Sequence, residues 1–213
     1  GTRAEGMTIH RLLGGTLALD DQAVPRRLQE ASSPRILHLA THGSFLPRPY
    51  QTDDGSDAQR MRALEGHMPA TADPMLRGVV LLAGANRATS AQEEDGIVTA
   101  LELSLLNLDG TELVTLSACD TGTGAIELGE GVYGLRRGIA VAGARSSLLS
   151  LWKVDDLATA KLMEAFYASL AQDHSPEEAL LAAQAMMREN ANLNWRHPYY
   201  WASFQLYGQS WKQ

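Results

Sequence analysis

The run Thr-Glu-Leu-Val-Thr-Leu-Ser-Ala, residues 111–118, is strongly strand-like, and at its centre, Leu113-Val114-Thr115-Leu116, apolar residues stand side by side rather than only at alternate positions. A strand reads this way when both of its faces meet apolar layers, as in the middle of a mostly parallel sheet. Parallel neighbours cannot be joined by tight hairpins; they need crossover segments long enough to hold a helix. The rest of the chain supplies both parts. "RILHLA" (Arg35–Ala40), "GVVLLAG" (Gly78–Gly84), "RSSLLSLW" (Arg145–Trp152) and "YYWASFQLYG" (Tyr199–Gly208) are further short β-like runs, and "TLALDD" reads as a short strand and turn.

Helix signals fall between these runs. Thr2 and Glu5 fit a capping box, with Gly14-Gly15 as the stop. "DQAVPRRLQEAS" reads as a short helix with Asp21 as N-cap, and another helix starts from about Thr99. "GEGVYGLRRGIAVAGA" reads as a helix whose glycines permit close packing. Asp155 and Asp156 cap a helix with Leu157, Met163, Phe166, Tyr167 and Leu170 on its apolar side. Ser175-Pro176-Glu177-Glu178 is a capping box with Pro at the first helical position. Strand–helix alternation at these spacings predicts an α/β/α sandwich around a mostly parallel sheet.

The chain has 213 residues, enough for one domain with a sizeable core. Its formal charge of −7 argues against nucleic acid as a direct partner and admits cationic ones. A single cysteine excludes an internal disulfide framework and fits a reducing, cytoplasmic compartment. No apolar run approaches the roughly 18 residues of a membrane span, and no signal peptide is visible. The sequence opens directly on a helix, which reads as a domain, residues 1–213, cut from a longer protein. Residues 44–74 form a long polar stretch rich in Pro and Gly, read as a variable loop.

In open parallel sheets, ligands sit at the carboxyl ends of strands. Two runs here end in reactive residues: "LHLA" in Thr41-His42-Gly43 and "LVTLSA" in Cys119-Asp120-Thr121-Gly122. If the two strands are neighbours, His42 and Cys119 share one sheet edge. A thiolate is the nucleophilic form of cysteine, and an imidazole can activate it and later protonate the leaving group. Gly43 and Gly122 allow close backbone approach, and the amides of Gly43 and Cys119 suit oxyanion donation. A buried, inert thiol is the competing reading of Cys119. His38 and His42 stand four apart but on a strand and its end, without a third ligand. They therefore predict no metal site, and His38 reads as a structural histidine. "GTGAIELGEG" lacks the Gly-Lys-Ser/Thr ending of a phosphate loop, which leaves no nucleotide cofactor and disfavours a flavodoxin-like binding module. It reads instead as an active-site loop, with Glu130 a carboxylate at the following helix's amino end. Arg136-Arg137 reads as a solvated edge. Most of the carboxyl-terminal aromatics read as core, with some free to line a peptide groove.

The segments "GTRAEGMTI", "LHLATHG", "GVVLLAGAN", "EDGIVTALEL", "LVTLSACDTGTG", "GEGVYGLRRGIAVAGARSSLLSLWKVDD" and "HPYYWASFQLYG" follow in an order that resembles the CHAT domain, a caspase-related peptidase module. The resemblance implies a caspase-like sheet with a Cys–His dyad at Cys119 and His42. It implies a cysteine endopeptidase acting on a protein substrate, without cofactor, and not at a membrane. It also implies a first strand ahead of "GTRAEG" that this sequence lacks. Attached regulatory domains follow from it too: tetratricopeptide repeats or a sensor domain, as in some prokaryotic defence systems. The caspase signature Q-A-C-[RQG]-G is not met, so a preference for aspartate is not carried over. "LWKVDD" is similar to a separase run whose aspartate reads a basic P1 residue; the matching position is Asp156, with Asp155 and Asp120 as lesser pocket candidates. A carboxylate at a pocket base pairs best with Arg, then Lys. The alternative from another class is a catalytically silent scaffold that binds a partner segment.

Overall fold

The computed structural model describes residues 2–45, 73–85, 95–117, 128–152, 155–190 and 195–209. Within them the strands are β1 (Ile36–Leu39), β2 (His42–Phe45), β3 (Gly78–Leu81), β4 (Ile97–Thr99), β5 (Leu113–Leu116), β6 (Ser146–Ser150) and β7 (Phe204–Gly208). The helices are α1 (Thr2–Leu13), α2 (Pro25–Glu30), α3 (Pro74–Arg77), α4 (Ala100–Leu103), α5 (Leu128–Val141), α6 (Asp156–Leu170) and α7 (Pro176–Glu189).

The apolar run that opened the argument is β5, and all four of its residues are buried. It lies between β1 and β6, parallel to both, and β7 closes the sheet antiparallel to β6. Leu113 of β5 and Leu148 of β6 join a core with α1, α6 and α7. Val114, Leu116 and Leu149 point the other way, into a core with α4 and α5. This is the three-layer α/β/α sandwich that the alternation predicts. Phe166, Tyr167, Leu162 and Met163 of α6 are fully buried, and each such side chain contributes about 1.5–3 kcal/mol.

Local signals account for most helix ends. Gly14 takes a positive φ of 72° and stops α1. Ser175 and Glu178 exchange both bonds of a capping box under Pro176. Thr99 and Glu102 do the same at α4. The glycines of α5 serve close packing: a Cβ on Gly134 would strike the carbonyl oxygen of Pro74, and one on Gly138 that of Ala100.

Several local expectations differ from the structure. The predicted run Gly78–Gly84 contains β3, but it belongs to a second, antiparallel sheet of order β2-β3-β4 rather than to the main one. That sheet takes in Ser44 and Phe45, while residues 46–72 of the polar stretch lie outside the described residues. Residues 16–19 form no strand, and α2 starts after Val24 rather than at Asp21, because Pro25 supplies the first helical position. Glu5 is turned inward, 4% exposed, rather than closing a capping box. Leu157 is 66% exposed, off the buried face of α6.

Candidate functional site at the carboxyl edge of the main sheet

The parallel register sets Leu39 of β1 beside Leu116 of β5, and Leu116 beside Leu149 of β6. The pairing runs on one residue further, since Ser117 N–H donates to the Leu39 carbonyl at 3.1 Å. Three chain segments therefore leave one edge of the sheet side by side. They lead to His42, to Cys119 and to Asp155–Asp156. In sequence, His42 and Cys119 each stand three positions beyond the paired leucines. Cys119, Asp120 and Gly122 lie outside the described residues.

His42 opens β2, and its side chain is exposed. The backbone there is held by the second sheet: His42 sits opposite Leu81, and the Thr41 hydroxyl donates to the Leu81 carbonyl. One residue past β3, Leu82 N–H donates to the carbonyl of Gly96, one residue before β4, at 2.6 Å. Alternation then directs Leu82 and Val80 toward β4, and Leu81 and Val79 toward β2. The bonded partners of Leu81 and Val79 are His42 and Ser44. Gly43, opposite Val80, is left with its N–H pointing away from β3, unused by the ladder.

Asp155 and Asp156 have separate surroundings. Asp155 Oδ1 accepts from Leu157 N–H at 3.0 Å and Ala158 N–H at 2.9 Å, which makes it the N-cap of α6. Asp156 occupies the first helical position, exposed. Trp152, at the end of β6, donates its indole N–H to the Tyr199 carbonyl at 2.9 Å and ties this edge to the carboxyl-terminal segment. His197 caps the turn Pro198–Tyr200 there, accepting from Tyr199 N–H.

Beneath the edge runs a chain of buried polar groups. Glu5 of α1 meets His38 Nε2 at 3.1 Å, and His38 Nδ1 meets the Tyr167 hydroxyl at 2.9 Å. Tyr167 donates to Thr115 Oγ1 at 2.8 Å. The chain joins α1, β1, α6 and β5, and it holds the two strands that lead to His42 and Cys119 in register, since His38 pairs Thr115. Burial pushes the Tyr167 phenol well up, so it stays protonated and keeps donating. His38 is thus the structural histidine the sequence suggests. Glu5, Tyr167 and Thr115 had a legible signal too: polar residues placed where the apolar periodicity calls for core.

Other readings fall out along the same lines. Phe204 is buried, and Trp195, Tyr200 and Trp201 pack against the core of α6 and α7. Arg136 is exposed and stacks on Tyr207, 4.8 Å from its ring centroid. Glu130 lies in the first turn of α5. No helix among the described residues is long and apolar enough to cross a membrane.

The comparisons with known proteins agree with this architecture. Tetratricopeptide repeat protein 28 of Homo sapiens is 29% identical over 212 residues, which cover 96% of this chain and 8% of that protein. The chain thus spans a small part of the curated relative it matches. The profile of the CHAT domain, a caspase-like, protease-related family, matches residues 1–209. With the match running through both sheets and every described helix, the chain belongs to the CHAT domain family.

Proposed function

We propose that this domain is a cysteine endopeptidase that cleaves a protein partner after a basic residue. Cys119 is the nucleophile. His42 takes the thiol proton as Sγ attacks the scissile carbonyl carbon, then gives it to the departing amine. The resulting thioester is hydrolysed by a water that His42 deprotonates. The amides of Gly43 and Cys119 receive the oxyanion; a Gly43 N–H that no ladder bond consumes supports that part of the reading. Asp156 reads the P1 side chain, with Asp155 and Asp120 as flanking acidic groups. Asp155 caps α6, and the exposure of Asp156 at the first helical position supports it for the task.

The observation that carries the proposal is the β1–β5 register, Leu39 beside Leu116, which brings the two motif strands to one edge as neighbours. No metal or cofactor enters the mechanism. The relative named for tetratricopeptide repeats supports attached repeats or another regulatory domain as the control element. A peptide-library digest read by mass spectrometry tests the reading. Cuts after Arg or Lys are expected, and none with Cys119→Ala. Equal cutting by the Cys119→Ala chain overturns the peptidase, and cutting mainly after Asp or apolar residues overturns the role of Asp156.

A further inference from the structure

The end strand of the main sheet carries an unclaimed surface. Leu151 N–H bonds the Ser203 carbonyl at 2.8 Å, and Gln209 N–H bonds the Arg145 carbonyl at 3.1 Å. These bonds fix the ladder phase between β6 and β7. Gln205 and Tyr207 face β6, while Phe204 and Leu206 turn their N–H and C=O groups outward. No described strand pairs with that edge. Gln184 of α7 reaches over it and donates to the Trp201 carbonyl at 3.2 Å and the Phe204 carbonyl at 3.4 Å. Among the described residues, Leu206 keeps both outward groups unpaired. A groove of about 480 Å³ runs along this edge, walled by Glu177, Leu181 and Gln184 of α7 and by Trp201. Leu181 is 67% exposed. The Oε2 of Glu177 is shut off from solvent and has no hydrogen-bond partner among the described residues.

An open strand edge beside an apolar and acidic wall fits one mode of recognition, addition of an extended peptide as a further strand. We propose that β7 docks an extended segment of a partner protein whose Arg or Lys side chain satisfies Glu177. The ladder supplies sequence-independent affinity through Leu206, and Glu177 supplies selection by charge. A second copy of the chain is a poor occupant, since its own β7 reads Phe-Gln-Leu-Tyr-Gly and brings no cation to Glu177. The chain's charge of −7 points the same way. This surface does not depend on the peptidase reading, because binding is measured on the Cys119→Ala chain.

The probes are two labelled heptapeptides of alternating Val and Thr, with Arg or Glu at the centre, followed by fluorescence anisotropy. The Arg peptide should bind at least about tenfold tighter than the Glu peptide. Glu177→Lys should reverse the order. Leu206→Pro removes an outward N–H without touching the β6 ladder, so it should abolish binding of both. If that variant loses its fold by circular dichroism, the Glu177→Lys reversal still decides. Equal affinity for the two peptides, no binding of either, or an unchanged order with Glu177→Lys overturns the proposal. So does a sedimenting dimer that occupies the edge and excludes both peptides.

Discussion

His38 and His42 sit four residues apart in one motif and live in different worlds. His38 has a 10% exposed side chain and two buried partners, Glu5 and Tyr167. His42 is exposed at the start of a strand that belongs to another sheet. The first is fixed by groups from α1 and α6 that cannot be removed without leaving a buried polar atom unpaired. The second has its backbone paired to Leu81, and on the proposed mechanism its ring is the part that meets substrate. The difference separates a residue that keeps two strands in place from one that those strands present.

The sharpest way to break this division is to substitute the presented residue. On the proposed mechanism, His42→Ala lowers kcat by about 10²–10⁴-fold, the usual contribution of a positioned acid–base group. Its unfolding free energy, read from urea denaturation, should stay within about 0.5 kcal/mol of the parent, as for other exposed positions. A large stability loss with His42→Ala would merge the two histidines into one structural role.

Tyr167→Phe probes the other side. It deletes one hydroxyl and strands both His38 Nδ1 and Thr115 Oγ1 in a dry interior. Leaving buried polar groups unsatisfied costs about 1–3 kcal/mol, to be read from urea unfolding. Gly138→Ala belongs to the same class. The new methyl meets the Ala100 carbonyl, where backbone must move, and overpacking of this sort costs about 1–3 kcal/mol. Neutral outcomes for both would mean that the interior yields more easily than its contacts imply.

The fold was legible where a single force dominated. The central strand β5, the Ser175 capping box and the glycines of α5 each admit one reading, and the structure has it. Legibility failed where two forces compete for one residue. Glu5 suits a capping box by spacing, yet its place one turn before Ile9 puts it on the buried face of α1, where His38 gives it a partner. Of the second sheet only β3 was legible, as the run Gly78–Gly84; β2 and β4 carry no apolar period of their own and are held by their pairing to β3. The strands that lead to His42 and Cys119 were legible as motifs, but their adjacency is a property of register that only the fold supplies.

The adjacent aspartates offer a smaller version of the same comparison. Asp155→Ala removes the cap of α6 and costs about 0.5–2 kcal/mol. Asp156→Asn should leave both cap bonds of Asp155 in place and lower cutting after Arg and Lys. If the two variants exchanged these effects, recognition would move to Asp155.

The smallest effect lies far from the site, at the head of α7. The backbone N–H and hydroxyl of Ser175 hold the Glu178 carboxyl below its ordinary range. A carboxyl whose folded pKa is depressed adds stability above its unfolded pKa and loses it as pH falls through the folded value. Glu178→Gln preserves the reciprocal box and cannot titrate. The parent should therefore melt slightly above the variant at neutral pH, and the gap should close between about pH 5 and pH 3. The group is fully exposed, so salt should narrow the gap as well. A gap that holds constant through the acid range would mean that the box works through its geometry alone.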